Sequence, residues 1–329
     1  MKMHGTPKDH HSRLSRWWLV GISLVVVPAI IGLFSRSAHV SSDPNDILRD
    51  ATIQGVQGNI AKLSSAAVVW RSESISFGPW ADKPKRVGDH QLWWDGRRTA
   101  ISCTTCSTTQ DPNGHISSDH RARFITYDGK EFRVAELPTT AAGRAEMTIL
   151  KRPRYRPGEN YLRDVGWQRE GGGLISEVVH EAHMKNREPG TDSLSIETGE
   201  DGNRLVKREF HNSKTGQIGI SYYDADKGYG LVRMDNYASA TQLQVRTIVR
   251  YRQVSGGAWF PVDVNSVSFN IQTGELLVRS KMEVDVDKSI FNDPAALPED
   301  VFELEAGPNT EVQDLTSLTT KLKMLMNDI

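Results

Sequence analysis

From Ala66 nearly to Val286, apart from a less regular middle over Ala141 to Asp192, the apolar residues of this chain tend to recur at every second position, and that period leaves few folds open. The clearest stretch sets Leu276, Val278, Met282, Val284 and Val286 against Arg279, Lys281, Glu283, Asp285 and Asp287. Successive side chains of a β-strand point to opposite faces, so this pattern describes a strand with one buried and one wet face. In Leu243 to Val254 the same alternation puts Leu243, Val245, Thr247, Val249 and Tyr251 on one face. Gln244, Arg246, Ile248, Arg250 and Arg252 take the other. Turn signals separate such runs: Asp95-Gly96, Asp128-Gly129, Gly199 to Asn203, Asp224 to Gly228, Ser255-Gly256-Gly257 and Thr273-Gly274. Hairpins with one wet face make an antiparallel meander, and a sheet of about ten strands must curl to hide its apolar side.

Other segments depart from this period. Asp43-Pro44 offers an N-cap and a first-turn proline, after which Ile47, Leu48, Ile53, Val56 and Ile60 follow with helical spacing. One helix is therefore expected over residues 45–63, weakened by Gly55 and Gly58. Near the C-terminus Pro298 to Leu304 reads as one more short strand. Leu315, Leu318, Leu322, Leu325 and Ile329 place an amphipathic helix over residues 313–329, packed back on the sheet.

Trp17 to Phe34 is an uncharged apolar run of eighteen residues. Lys2, Lys8, Arg13 and Arg16 precede it, and Asp43, Asp46 and Asp50 follow. The length suits a membrane-spanning helix, and the positive flank keeps the N-terminus cytoplasmic. The sequence thus divides into a cytoplasmic stretch (1–16), a transmembrane anchor (17–34), a linker (35–44), a β domain (45–312) and the C-terminal helix. Cleavage after Ser37, with Ser35 at minus three, is the alternative, and it would release the domain to the periplasm. A formal charge of -1 gives no basic field for nucleic acid.

The meander carries Trp94-Asp95-Gly96, Tyr127-Asp128-Gly129, Lys227-Gly228-Tyr229, Gly257-Ala258-Trp259-Phe260-Pro261 and the closing run Phe302 to Val312. In these motifs the chain resembles the bacterial outer-membrane lipoprotein-sorting (LolA-like) proteins and the related RseB-like periplasmic proteins. The resemblance covers about residues 46–314. It implies an incomplete β-barrel whose concave apolar face binds acyl chains beneath a helical lid. The implied partner is a lipid, an acylated protein or a hydrophobic peptide; an RseB-like sensor binding a membrane protein is the second reading. Trp70, Trp94, Tyr127, Tyr223, Trp259 and Phe260 are the aromatic candidates for lining such a cavity. The chain is longer than a typical carrier, and a tether conflicts with a free shuttle.

Little points to an enzyme, and no cofactor is implied. His180-Glu181-Ala182-His183 has its imidazoles three apart, whereas the zinc-protease helix requires four. Cys103 and Cys106 with His115 and His120 form a possible tetrahedral metal set; a disulfide between the cysteines or idle thiols are the alternatives. A metal-dependent enzyme on that loop is the weakest functional reading. Asp224 to Gly228 resembles the start of a calcium loop without its later ligands, so a hairpin turn is expected there.

Overall fold

The computed structural model describes residues 43–110, 116–137, 145–150, 167–170, 173–176, 190–307 and 310–315. The chain divides into two compact units, Met1–Ile47 and Leu48–Ile329. In the first, residues 43–47 are described and open helix α1 (Pro44–Ile60). Asp43 caps it as the sequence predicts, its carboxylate accepting from Asn45 N at 2.9 Å. Trp17 to Phe34 and residues 316–329 lie outside the described residues. Among those described, no helix is long and apolar enough to cross a membrane.

The second unit is mainly β. Its first strands are β1 (Ala66–Ser76), β2 (Lys85–Trp94), β3 (Thr99–Gln110), β4 (Ile116–Tyr127), β5 (Phe132–Leu137) and β6 (Ala145–Leu150). Two short strands, β7 (Trp167–Glu170) and β8 (Gly173–Ser176), pair only with each other. A second run follows: β9 (Gly190–Thr198), β10 (Arg204–Asn212), β11 (Ile218–Asp224), β12 (Gly230–Ser239), β13 (Gln242–Gln253), β14 (Trp259–Phe269) and β15 (Leu276–Val284). The short β16 (Ile290–Phe291) and β17 (Thr310–Asp314) complete the chain.

These strands form one open, curled sheet in the order β17-β6-β5-β4-β3-β2-β1-β15-β14-β13-β12-β11-β10-β9, with β16 beside β1. Two meanders are therefore joined by the long-range pairing of β1 with β15, which sets Trp70 opposite Val284 and Ser74 opposite Ser280. Every pairing is antiparallel except β17 on β6. The hairpins close as their turn residues dictate. Asp95 accepts from the backbone of Arg97 and Arg98, Asp128 from Lys130 and Glu131, and Asn270 from Gln272 and Thr273. Each gives the backbone a local partner where the ladder ends.

The core occupies one end of the concave face. Val56 and Ile60 of α1 pack there against Val68, Trp70, Leu92, Ile101, Ile125, Val264 and Phe260. Gly55 is required rather than merely tolerated, because a Cβ there would lie 1.9 Å from the Tyr229 ring. Asn59 fixes the helix end. Its amide donates to the Trp259 carbonyl at 2.8 Å and accepts from the Trp259 N–H at 2.8 Å. Asn59→Ala would leave both backbone groups unpaired, and a loss of about 2–4 kcal/mol in chemical denaturation is expected.

On the opposite face a smaller cluster of Ala67, Ala100, Leu297 and Phe302 covers the same end of the sheet. Three local expectations are corrected. Residues 298–304 are not a strand: Glu299–Phe302 is a 3-10 turn, wound so that Phe302 reaches that cluster under the Arg98 guanidinium. Gln313 and Asp314 end β17 instead of opening a helix. Cys103 to Cys106 is not a loop, since β3 runs through it.

Candidate functional site

Among the described residues the concave face continues uncovered beyond the reach of α1 and forms a groove of about 1010 Å³. Strand pairing explains its lining, because directly paired residues point to the same face. Across β14, β15, β1, β2, β3 and β4 the register aligns Val264, Met282, Ser72, Gly88, Thr105 and Arg121. One step further from the core, Thr247, Ser266 and Ser280 on β13, β14 and β15 continue into Ser74. Arg86, Ser107 and Asp119 on β2, β3 and β4 complete that row. Every residue of both rows borders the groove. Polarity thus rises along the strands, from the core under α1 to a floor of hydroxyls.

Neighbouring hydroxyls are linked: Thr247 Oγ1 lies 3.1 Å from Ser266 Oγ, and Ser280 Oγ donates to Ser74 Oγ at 3.2 Å. Ten of the lining residues are serine or threonine. Pro84, Val87, Val264, Val278 and Met282 supply apolar contact. An occupant therefore meets methyl groups and hydrogen-bonding groups on the same surface.

His90 marks the border between core and groove. It is 4% exposed and stacks on Trp70 with ring centroids 5.0 Å apart. Its Nε2 lies 2.7 Å from the Oγ of Ser72, while Nδ1 is buried with no hydrogen-bond partner among the described residues. Burial pushes its pKa down to about 4, and the carboxylate of Asp89 offsets this only in part. The ring is neutral at ordinary pH. It lies over Gly88, where a Cβ would come within 2.3 Å of Nε2, so the glycine makes the Ser72 contact possible.

The aromatic candidates stand elsewhere. Trp70, Trp94 and Phe260 are buried in the core, with Phe260 packed on Phe291 at 4.9 Å. Tyr127 packs on Phe132 at 4.4 Å, Tyr223 is buried on β11, and Trp259 is held through its backbone by Asn59. None of the six borders the groove. The signal that finds its floor is a different one: serine and threonine at the inward phase of β1, β3, β14 and β15, where an apolar residue would otherwise stand.

The proposed metal set is not assembled among the described residues. Cys103 and Cys106 are three positions apart on β3, so they face opposite sides of the sheet about 10 Å apart, too far for a disulfide. Cys103 lies in the core, while Cys106 Sγ stands 3.7 Å from the Nε2 of its register partner His120. His115 lies outside the described residues, as do His180 and His183. Among the described residues no group of three metal-ligating side chains converges. Asp224 is the turn residue expected, accepting from Asp226 N at 3.0 Å, from Lys227 Nζ at 2.8 Å and from Asn203 Nδ2 at 2.6 Å.

The described residues form one large open, curled sheet with a groove beside a helix-capped core. In fold the chain is similar to a LolA superfamily protein from Nitrosomonas europaea, with a TM-score of 0.38 and 11% identity over 77% of this chain and 97% of that one. It is also similar to a DUF1329 family protein from Desulfovibrio piger, with a TM-score of 0.38 and 10% identity over 80% of this chain and 98% of that one. No protein-family model matches the chain, and no curated protein matches it in sequence. Likeness at this level concerns the fold, so the groove's own lining must say what it holds.

Proposed function

We propose that this protein is a binding protein of the extracytoplasmic face, tethered by Trp17 to Phe34, whose groove holds one amphiphilic ligand such as a lipid or an acylated peptide. The supporting observation is the groove of about 1010 Å³, which is the size of a small-molecule site. Its mixed lining suits a molecule with an apolar chain and a polar portion. Each buried methylene contributes about 0.8 kcal/mol, so contact with Val264, Val278 and Met282 can give useful affinity without a reaction. The tether follows from the sequence alone, through the apolar run and its charged flanks. A linker of ten residues reaches no more than about 35 Å even when fully extended.

The test uses the full chain in amphipol and a fluorescent fatty-acid probe. Saturable binding is expected, with a loss of about tenfold or more on Ser280→Trp, whose indole would fill the middle of the groove. Absence of saturable uptake, or equal uptake by the variant, would contradict the reading.

A further inference from the structure

The groove's outer row contains a cation with a distinctive setting. Arg86 lies between Ser74 of β1 and Ser107 of β3, each directly opposite it in register. The other charged side chains bordering the groove are already engaged. Arg121 donates to Asp119 at 2.8 Å, Lys281 pairs with Glu283 at 2.6 Å, and Glu73 pairs with Lys85. Arg86 has neither an ion-pair nor a hydrogen-bond partner among the described residues. Ser74 accepts a hydrogen bond from Ser280, which leaves its own O–H to donate.

A guanidinium presents its N–H groups as a rigid fork that matches two oxygens of an oxyanion, and such charge-assisted bonds are stronger than neutral ones. A carboxylate would be satisfied by that fork alone. A hydroxyl donor on either side of the fork suits a group with further oxygens. From this juxtaposition we infer that Arg86, Ser74 and Ser107 form a phosphate subsite, and that the groove's amphiphile carries a phosphate. The apolar part of the ligand then lies toward Val264 and Met282, one row closer to the core. Asp119, in the same row, is neutralised by Arg121 and does not oppose the anion. This inference rests on the ligand-binding reading of the groove and gives its ligand a chemical class.

Two fluorescent probes with the same acyl chains separate the two ideas in the full chain: phosphatidic acid, and diacylglycerol, which lacks the phosphate. The wild type is expected to bind phosphatidic acid about tenfold or more tightly than diacylglycerol. Arg86→Gln should reduce phosphatidic acid to the diacylglycerol level and leave diacylglycerol itself unchanged, while Arg86→Lys should keep part of the preference. Competition with millimolar inorganic phosphate distinguishes the source: displacement of the phosphatidic acid probe marks a subsite for free phosphate, and resistance marks a head group held with its chains. If both probes bind equally, or Arg86→Gln changes neither, the phosphate subsite is overturned while the groove reading stands. If neither probe binds, both fall.

Discussion

Trp70→Ala is expected to destabilise the protein by about 3–5 kcal/mol, the cost of removing a large aromatic side chain from a packed core. Trp70 is 2% exposed, lies opposite Val284 on β15 and opposite His90 on β2, and stacks on the imidazole. Nothing nearby can collapse into the space, because the surrounding side chains belong to strands locked by ladders on both sides. Trp259 makes the contrast. It is only half-buried at the start of β14, and its anchoring bonds to Asn59 run through its backbone, so Trp259→Ala should cost less than half as much. Urea titrations of the full chain followed by far-ultraviolet circular dichroism give both values. A loss below about 1 kcal/mol for Trp70→Ala would mean that the ring faces a ligand cavity instead of the core.

Stability should also fall by up to about 3 kcal/mol as pH drops from about 6.5 to about 4, because His90 is buried in its neutral form. Its native pKa is depressed below that of the unfolded chain, so between those values the unfolded state binds the extra proton. The contribution is complete above pH 6.5 and is lost as the pH falls through the native value near 4. Asp235 behaves differently. Burial pushes its carboxyl up, but hydrogen bonds from Arg246 and Arg233 outweigh this and hold it below the usual carboxylate range. Its contribution is therefore lost only at lower pH, outside the histidine window. His90→Phe keeps a ring on Trp70 and removes the titration, so its stability profile should be much shallower from pH 6.5 to 4.5, with only the onset of loss from carboxyls such as Glu73 and Glu209, which their partners hold below the usual range. An equally steep profile in that variant would assign the effect to other groups.

The alternating stretches Leu243 to Val254 and Leu276 to Val284 were legible because a strand with one wet face writes its geometry directly into the sequence. Ile248 shows that the alternation, not the single residue, carries the signal: it stands at an outward position and is 46% exposed. The pairing of β1 with β15 was not legible, since register between strands two hundred residues apart depends on which faces meet after the sheet curls. The groove was not legible for a related reason. Trp70, Trp94 and Phe260 signalled apolar burial, and burial there serves the helix-capped core. The groove is written in Ser72, Ser74, Thr105, Ser107, Ser266 and Ser280, residues that resemble an ordinary wet face until the register aligns them. The Cys103-Thr104-Thr105-Cys106 spacing suggested a closed loop, but a strand sends residues three apart to opposite faces.

On the proposed reading, the ligand occupies the hydroxyl-lined groove and not the aromatic end of the sheet. A phosphatidic acid carrying a diazirine in its acyl chain, crosslinked to the full chain in amphipol and mapped to single residues by tandem mass spectrometry, tests this directly. Label confined to residues within Ser72 to Gly88, Thr105 to Thr109 and Val264 to Met282 is the predicted result. Label concentrated on Trp94, Tyr223 or Trp259 themselves, or spread evenly over the exposed surface, would contradict it.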